Sequence, residues 1–251
     1  MTTTPRTGTR WLLRRPTPDA PARIFCFPYS GIGASMFNRW PRFLGGAEIC
    51  PIQPPARENR SREPHFGTYQ HLAAGVVEAI EPYLDRPFLF VGHCTGALPA
   101  YETAVRLATL GLPAPAWLVV SAQVAPHHCP YDRFLDLSEQ ELTDELAELV
   151  GQRGAQPDPM LIELALRVLR LDLGASRVYR REEPVRLPAA VAVVRWTDDP
   201  EVTDAQLRPW QEYASEVRFV DLPGGHYDIL DAPAALRELL AGLAATTDGT
   251  R

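Results

Sequence analysis

The stretch Phe88-Leu-Phe-Val-Gly92-His93-Cys94-Thr95-Gly96-Ala97 decides the fold class of this chain. An apolar strand pattern runs into Gly-x-Cys-x-Gly, and a helical pattern follows directly. This is the form of a nucleophile elbow with cysteine at the nucleophile position. In so sharp a turn a β-carbon at Gly92 or Gly96 would clash with the adjoining strand or helix, so glycine is needed at both positions. The motif therefore predicts a strand–turn–helix unit that presents the Cys94 sulfur above a sheet.

Short apolar runs alternate with longer amphipathic stretches on both sides of this motif. The runs are β-branched or aromatic and apolar on both faces, which predicts buried parallel strands at 23–28, 48–52, 87–91, 116–121, 190–195 and 217–221. Helical periodicity falls between them at 68–84, 97–110 and 233–244. The alternation predicts an α/β fold, with a mostly parallel sheet flanked by helices and right-handed crossovers.

One segment, 126–187, breaks the alternation because it holds two helix patterns, 138–150 and 159–171, and no strand. Ser138 and Glu141 have the spacing of a capping box at the start of the first helix. An insertion after the strand at 116–121 would lie above the carboxyl ends of the strands, where open α/β sheets bind ligands. We therefore predict a helical lid, the alternative being a plain helical subdomain. The predicted core is 21–125 and 188–246, with tails at 1–20 and 247–251.

The composition excludes several classes of protein. The chain has 251 residues, of which 45% are hydrophobic, enough for one sizeable core and too many for a disordered or fibrous chain. Its 25 basic residues, all arginine, stand against 31 acidic ones, and the net charge of −6 disfavours nucleic acid as a partner. No apolar run approaches the ~18 residues of a membrane span, and the first ten residues do not lead into a signal-peptide core. These features predict a cytoplasmic protein without membrane contact.

Acidic and basic residues that would complete a catalytic triad follow later in the chain, at the ends of predicted strands. Asp198 and Asp199 come after the strand at 190–195, and His226 comes after the strand at 217–221. The order nucleophile, acid, base is that of the α/β-hydrolase triad, so we predict Cys94 as nucleophile and His226 as its base. Both aspartates are candidates for orienting His226, and Asp198 is preferred. The helix that starts beside Cys94 is expected to favour its thiolate.

An early glycine-containing loop, Phe27-Pro28-Tyr29-Ser30-Gly31-Ile32-Gly33-Ala34, is the candidate for oxyanion binding. In this fold class one donor comes from such a loop and the other from the residue after the nucleophile. We therefore predict the backbone amides of Ser30 and Thr95 as the oxyanion hole. A phosphate-binding loop is the weaker alternative, because the third glycine of GxGxxG is missing.

Neither the cysteines nor the histidines have the spacing of a metal site. The four cysteines are far apart and form no CxxC pair, which favours free thiols over disulfides or zinc ligands. The adjacent residues His127, His128 and Cys129 cannot all converge on one ion, and no fourth ligand stands at a suitable spacing. We predict no metal ion and no cofactor belonging to the protein itself.

These motifs resemble those of the stand-alone (type II) thioesterases of polyketide and non-ribosomal peptide biosynthesis. The resemblance covers 25–240 and is carried by Phe27-Pro28-x-x-Gly31-x-Gly33-Ala34-Ser35, Gln53-Pro-Pro-Ala-Arg57-Glu-Asn-Arg60, Glu63-Pro64, Gly92-His93-x-x-Gly96-Ala97, Asp198-Asp-Pro-x-Val202, Trp210 and Pro223-Gly-Gly-His226. It implies an α/β-hydrolase fold with a helical lid. It also implies a thioester substrate carried on the phosphopantetheine of an acyl or peptidyl carrier protein.

The departures from that family bear on the reaction. The family usually has serine at Cys94, methionine at Thr95 and His-Ala-Gly-Gly in place of Tyr29-Ser30-Gly31-Ile32. An acyl-cysteine is itself a thioester, nearly equal in energy to the substrate, so onward transfer to a thiol, an amine or an alcohol is open. Shuttling enzymes that move aminoacyl groups between carrier proteins are similar in having cysteine here. Transfer is slightly favoured, the alternatives being an editing hydrolase and a non-catalytic carrier-binding module.

Overall fold

The computed structural model describes residues 10–152 and 156–246. The predicted tail at 247–251, the first nine residues of the predicted tail at 1–20, and residues 153–155 of the loop between the two insertion helices lie outside the described residues. The predicted domain boundaries therefore stay predictions at both ends of the chain.

The centre of the fold is a seven-stranded sheet with strand order β2-β3-β1-β4-β5-β6-β7. Its strands are β1 (Arg23–Phe27), β2 (Phe43–Leu44), β3 (Ala47–Pro51), β4 (Phe88–His93), β5 (Trp117–Ser121), β6 (Ala190–Trp196) and β7 (Val217–Leu222). All neighbours are parallel except β2, which pairs antiparallel with β3. The six predicted strands are confirmed. Strand β2 was not predicted, because its two residues are too few to show a pattern.

Helices cover both faces of the sheet. They are α1 (Tyr69–Ile80), α2 (Ala97–Thr109), α3 (Glu139–Gln152), α4 (Pro159–Val178), α5 (Asp204–Leu207) and α6 (Ala234–Ala245). Along β1, Phe25 and Phe27 pack in the cluster that contains α1 and α2. Ile24 and Cys26 pack in the cluster that contains α6, on the opposite face. This alternation explains why every residue of β1 is apolar or buried.

Helices α3 and α4 lie between β5 and β6 in the chain, as predicted for 126–187. Ser138 and Glu141 form the expected capping box, with Ser138 N donating to Glu141 Oε2 at 2.7 Å and Glu141 N donating to Ser138 Oγ at 3.3 Å. The two helices pack on each other through a separate small core of Leu142, Leu166, Leu169 and Leu173. Helix α4 continues to Val178, about two turns beyond the predicted end at 171. We call α3 and α4 the insertion helices.

Among the described residues no helix has both the length and the apolar content that crossing a membrane requires. The four cysteines are all free thiols, as predicted, and three of them are buried.

Candidate active site

Cys94 lies in the turn between β4 and α2, in a backbone conformation that side chains rarely adopt. Its φ is +48°, in the left-handed region, where a residue with a β-carbon is strained. A β-carbon on Gly92 would lie 2.4 Å from the Gly96 carbonyl oxygen, and one on Gly96 would lie 2.6 Å from the Phe27 carbonyl oxygen. The predicted need for both glycines is therefore confirmed, and the turn has the geometry of a nucleophile elbow.

His226 follows β7 and lies beside Cys94. A ring nitrogen of His226, the Cys94 sulfur and a carboxylate oxygen of Glu201 all lie within 4.8 Å of one another. The Nδ1 atom of His226 lies 2.8 Å from Asp199 Oδ2, and the side chains of this pair are 5% and 2% exposed. Because the Asp199 carboxylate accepts the hydrogen bond from Nδ1, the Nε2 nitrogen remains for proton transfer.

The preference for Asp198 as the residue that orients His226 was wrong, since the structure places Asp199 on the imidazole. Asp198 is exposed, and its backbone amide donates to the Gly224 carbonyl at 3.0 Å, which ties the turn after β6 to the turn after β7. Consecutive side chains in that turn point in different directions, so only one of the two can face His226. The other Asp199 oxygen accepts a hydrogen bond from the Glu201 amide at 2.8 Å, which fixes the carboxylate.

Two carboxylates that the sequence analysis did not single out also stand at this site. Glu201 Oε2 lies 3.5 Å from His226 Nε2, and Glu201 Oε1 pairs with Arg133 Nε at 2.9 Å. Asp132 lies in the segment after β5 and accepts a hydrogen bond from the Phe134 amide at 2.8 Å. Glu201 follows Asp199 by two residues in the same loop, which was the available signal. For Asp132 the sequence has no comparable signal, because nothing in it shows the direction that the chain takes over 126–137.

The predicted effect of the helix start on Cys94 is present, but other effects on the pKa of the thiol are larger. Burial raises the pKa of the Cys94 thiol well above its ordinary value of 9.0, and the negative charges of Asp132 and Glu201 raise it further. A hydrogen bond from the Thr95 backbone amide to the sulfur lowers the pKa but does not offset these effects.

The predicted oxyanion hole is only partly available in this structure. The Thr95 amide faces the sulfur, as expected. The Ser30 amide instead donates to the Thr95 side-chain oxygen at 2.8 Å, so that it is occupied. The Ser30 and Thr95 hydroxyl oxygens are also 2.8 Å apart. The physical reason is the hydroxyl at position 95, which supplies an acceptor that an apolar side chain would lack.

A buried ion-pair network joins α4 to the loop that carries Ser30. Asp172 binds Arg57 through two hydrogen bonds of 2.7 Å, and both side chains are 3% exposed. The Asp172 carboxylate also lies 2.8 Å from His65 Nε2 and accepts a hydrogen bond from the Gly31 amide at 2.8 Å. This Asp172 network ties the second insertion helix to the candidate oxyanion loop, and neither its partners nor their spacing was visible in the sequence.

The active-site cavity has a volume of about 490 Å³ and lies between the sheet and the insertion helices. Its polar end holds Cys94, His226, Asp132 and Glu201. The rest of its lining is largely apolar, and the insertion helices contribute Leu146, Leu149, Val150, Ala165 and Leu169. The insertion helices thus cover the cavity in which Cys94 is accessible, which is the arrangement that the predicted lid requires.

Among the described residues, Cys94, Glu201 and His226 are also the one group of three or more potential metal ligands that converge. Zinc accepts this donor set, and a carboxylate on the second histidine nitrogen is common around zinc. The adjacent residues His127, His128 and Cys129, which the sequence analysis rejected as a metal site, do not form such a group; His127 Nδ1 lies 2.7 Å from the Tyr213 hydroxyl and Cys129 is buried. The zinc content of the purified protein is therefore a necessary control for any test of the site.

The comparison with protein families gives one match, which covers residues 22–243 and is described as a thioesterase domain. The chain belongs to the thioesterase family. Its fold is accordingly the α/β-hydrolase fold, and the resemblance seen in the sequence is confirmed at the level of the family. The central residue of the elbow in this thioesterase is Cys94.

Several relatives and solved structures are similar to this thioesterase over most of its length. It is 31% identical to the gramicidin S biosynthesis protein GrsT of Aneurinibacillus migulanus, over 88% of each chain. It is 32% identical to a probable cadicidin biosynthesis thioesterase of Streptomyces griseus, covering 90% of this chain and 64% of that one. The structure of RedJ, a thioesterase of the prodiginine pathway of Streptomyces coelicolor, is 31% identical and superposes with a TM-score of 0.78, covering 90% of this chain and 91% of RedJ.

The relatives differ in length. The chain is 32% identical to the antimetabolite synthetase AmbE of Pseudomonas aeruginosa over 95% of its own residues, which are 12% of AmbE. The type II thioesterase BorB of the borrelidin cluster is 26% identical, with a TM-score of 0.80 and coverage of 93% of this chain and 97% of BorB. The same domain is therefore found both inside a much longer synthetase and as a chain of this size.

Proposed function

We propose that this thioesterase acts on acyl or aminoacyl thioesters of acyl or peptidyl carrier proteins in polyketide or non-ribosomal peptide biosynthesis. The acyl group passes through Cys94 and then to a second acceptor. The observation that carries the proposal is the placement of Cys94 in a strained elbow within 4.8 Å of a His226 nitrogen that Asp199 orients from the other side. The names of GrsT, RedJ and BorB support the pathway class.

The proposed reaction begins with proton transfer from the Cys94 thiol to His226 Nε2. The sulfur attacks the carbonyl carbon of the thioester, and the oxyanion that forms accepts a hydrogen bond from the Thr95 amide. The bond from the carbon to the phosphopantetheine sulfur then breaks, and that sulfur takes the proton from His226. Free carrier thiol and acyl-Cys94 result, and the protein supplies no cofactor. Reversal of these steps on a second thiol completes a transfer.

The identity of the nucleophile supports transfer over hydrolysis. Acyl-Cys94 exchanges one thioester for another, so the free energy of the acyl group is retained and a second carrier thiol can accept it. An acyl-serine ester would have lost that free energy. Covering of the cavity by the insertion helices, the proposed lid, would also limit the access of water to acyl-Cys94.

Hydrolysis of stalled acyl groups is the second candidate, and its support comes from the relatives that are named thioesterases. The non-catalytic carrier-binding alternative has less support, since a buried His226–Asp199 pair beside Cys94 has no evident structural purpose. A cytoplasmic location is part of this proposal.

The experiment that tests the proposal follows a labelled acyl group between two carrier proteins. A donor carrier loaded with the acyl thioester is mixed with an unloaded acceptor carrier of different mass, with the wild type, with Cys94→Ala and with Cys94→Ser. Intact masses are then recorded over time. The proposal expects transfer with the wild type, none above background with Cys94→Ala, and hydrolysis without transfer with Cys94→Ser. Equal transfer by Cys94→Ser would contradict it, and hydrolysis alone by the wild type would favour the second candidate.

A further inference from the structure

Two carboxylates stand in a cavity whose remaining lining is mostly apolar. Asp132 and Glu201 line the active-site cavity beside Cys94 and His226, and the other lining residues include Phe134, Leu146, Leu149, Leu169 and Leu230. A carboxylate removed from water is costly unless a cation or several hydrogen-bond donors compensate its charge. The cavity therefore has a feature that binding of a purely hydrocarbon acyl chain does not explain.

The cations near these carboxylates have other partners as well. Glu201 has Arg133 Nε at 2.9 Å and His226 Nε2 at 3.5 Å. Arg133 is shared, because its Nη2 atom also pairs with Glu145 at 2.9 Å. Arg39 lines the cavity too, but it pairs with Asp231 at 2.6 Å.

Asp132 accepts a hydrogen bond from the Phe134 amide at 2.8 Å. A cationic group of a ligand in the cavity would therefore meet carboxylates that the arginines do not fully pair.

The distances place this negative charge beside the reacting atoms. A Glu201 oxygen, the Cys94 sulfur and a His226 nitrogen lie within 4.8 Å of one another. In an aminoacyl thioester the α-nitrogen is two bonds from the carbonyl carbon. When that carbon contacts the sulfur, the α-ammonium group is therefore within reach of the Glu201 carboxylate.

We propose that Glu201 and Asp132 make this protein selective for aminoacyl thioesters, by binding the α-ammonium group while the carbonyl carbon lies at the Cys94 sulfur. This inference rests on the proposed function and names its substrate class. An ammonium group can form charge-assisted hydrogen bonds with both carboxylates, whereas a neutral acyl group adds no positive charge to offset theirs.

The test compares three acyl groups of equal size on one phosphopantetheinylated carrier protein. They are leucyl, 4-methylpentanoyl, which lacks the amine, and 2-hydroxy-4-methylpentanoyl, which has a neutral hydroxyl in its place. The rate of appearance of the acyl adduct on this protein is followed by intact mass. We expect leucyl to react about 10- to 100-fold faster than either neutral group, the range of one or two hydrogen bonds to a charged group.

Three variants assign the selectivity to the two carboxylates. Glu201→Gln and Asp132→Asn should each bring the ratio of leucyl to 4-methylpentanoyl rates close to one. Glu145→Gln is the matched control, because it removes another carboxylate that binds Arg133 but does not line the cavity. It should keep the wild-type ratio. Thermal unfolding of each variant shows whether it is folded.

The outcomes separate this inference from the proposed function. If adducts form from all three thioesters at equal rates, the selectivity is overturned and the proposed function stands. The same holds if both Glu201→Gln and Asp132→Asn keep the wild-type selectivity. No adduct from any of the three overturns the proposed function and this inference with it. One equivalent of zinc bound to the wild type and lost in Glu201→Gln would assign Glu201 to a metal site and overturn the inference as well.

Discussion

The Thr95 hydroxyl oxygen lies 2.8 Å from the Ser30 backbone nitrogen and accepts its hydrogen bond. The amide that was expected to bind the oxyanion is therefore occupied by the side chain of the residue after Cys94. The Thr95 side chain lines a small neighbouring cavity with Asp172 and Arg57, and it is not part of the lining of the active-site cavity. Stabilisation of the oxyanion by Ser30 thus requires Thr95 to release this hydrogen bond.

Replacing Thr95 by valine should increase the rate of Cys94 acylation. Valine has nearly the same shape but no acceptor, so the Ser30 amide becomes free to bind the developing oxyanion. A full oxyanion donor contributes about 10²–10³-fold, and freeing the Ser30 amide is expected to recover part of that contribution. The rate is measured by quenching the reaction at a series of times and recording the intact mass of the acyl adduct. Thr95→Ser, which keeps the hydroxyl, should gain less, and a fall in rate for Thr95→Val would show that the hydroxyl itself assists the reaction.

The two adjacent aspartates provide a direct test of the triad. Asp199→Asn should lower the acylation rate by about 10²–10⁴-fold, because an amide no longer selects the tautomer that leaves His226 Nε2 free to accept a proton. Asp198→Asn changes an exposed side chain one residue away and should retain most of the wild-type rate. Both rates can be measured with the same loaded carrier. A large loss in Asp198→Asn with none in Asp199→Asn would restore the assignment that the structure corrects.

The Asp172 network should contribute to stability in a pH-dependent way. Asp172→Asn leaves Arg57 buried without its carboxylate, which is expected to cost about 3–5 kcal/mol in the free energy of unfolding. Asp136→Asn removes an exposed carboxylate just before α3 and should change the free energy of unfolding little. Urea unfolding at pH 7 measures both. A loss below about 1 kcal/mol in Asp172→Asn would mean that the ion pair is replaceable by water.

The sign of the pH effect follows from the direction of the shift. Burial of Asp172 raises its pKa, but the charge of Arg57 and the hydrogen bonds from His65, Arg57 and the Gly31 amide outweigh this and hold the pKa below its ordinary value of 3.8. The ionised carboxylate therefore stabilises the folded state above that ordinary pKa, and the contribution is lost as the pH falls through the lowered folded-state pKa. The difference between wild type and Asp172→Asn should shrink on acidification below about pH 4. A difference that grows instead would contradict the lowered pKa.

Two alanine substitutions with opposite expected effects test the elbow. Gly96→Ala would place a β-carbon 2.6 Å from the Phe27 carbonyl oxygen, so it should destabilise the fold and move Cys94. Gly174→Ala lies within α4, where the added β-carbon has no neighbour within 4 Å. It should stabilise the protein by about 0.5–1 kcal/mol, since alanine is the better helix former. Thermal unfolding of both variants checks the prediction, and equal effects of the two would contradict the packing described for the elbow.

The strands and the elbow were predictable because their signals are local. Each parallel strand is a short apolar run. Gly92 and Gly96, on either side of Cys94, indicate the strained turn there. The position of His226 was predictable for a related reason. Parallel strands end at one edge of the sheet, so residues that follow β4, β6 and β7 must come together there.

The features that the sequence did not reveal depend on the direction of single side chains. Asp198 and Asp199 are neighbours of identical chemistry, and only the hydrogen bond that fixes the turn after β6 decides which of them faces His226. In the sequence, Asp172 is one acidic residue in an amphipathic helix pattern. Only the structure shows that α4 brings it against Arg57. Long-range contacts of this kind, 115 residues apart for Arg57 and Asp172, leave no periodicity in the sequence.

The central claim, that an acyl group passes through Cys94, is tested most directly by peptide mapping after incubation with a loaded carrier protein. Wild-type protein is quenched in acid within seconds, digested and analysed by mass spectrometry. The account predicts that the acyl mass is found on the peptide containing Cys94, that none is found in Cys94→Ala, and that the label leaves when unloaded carrier is added before the quench. An acyl group found on another residue, or no covalent label while the carrier thioester is still consumed, would contradict it.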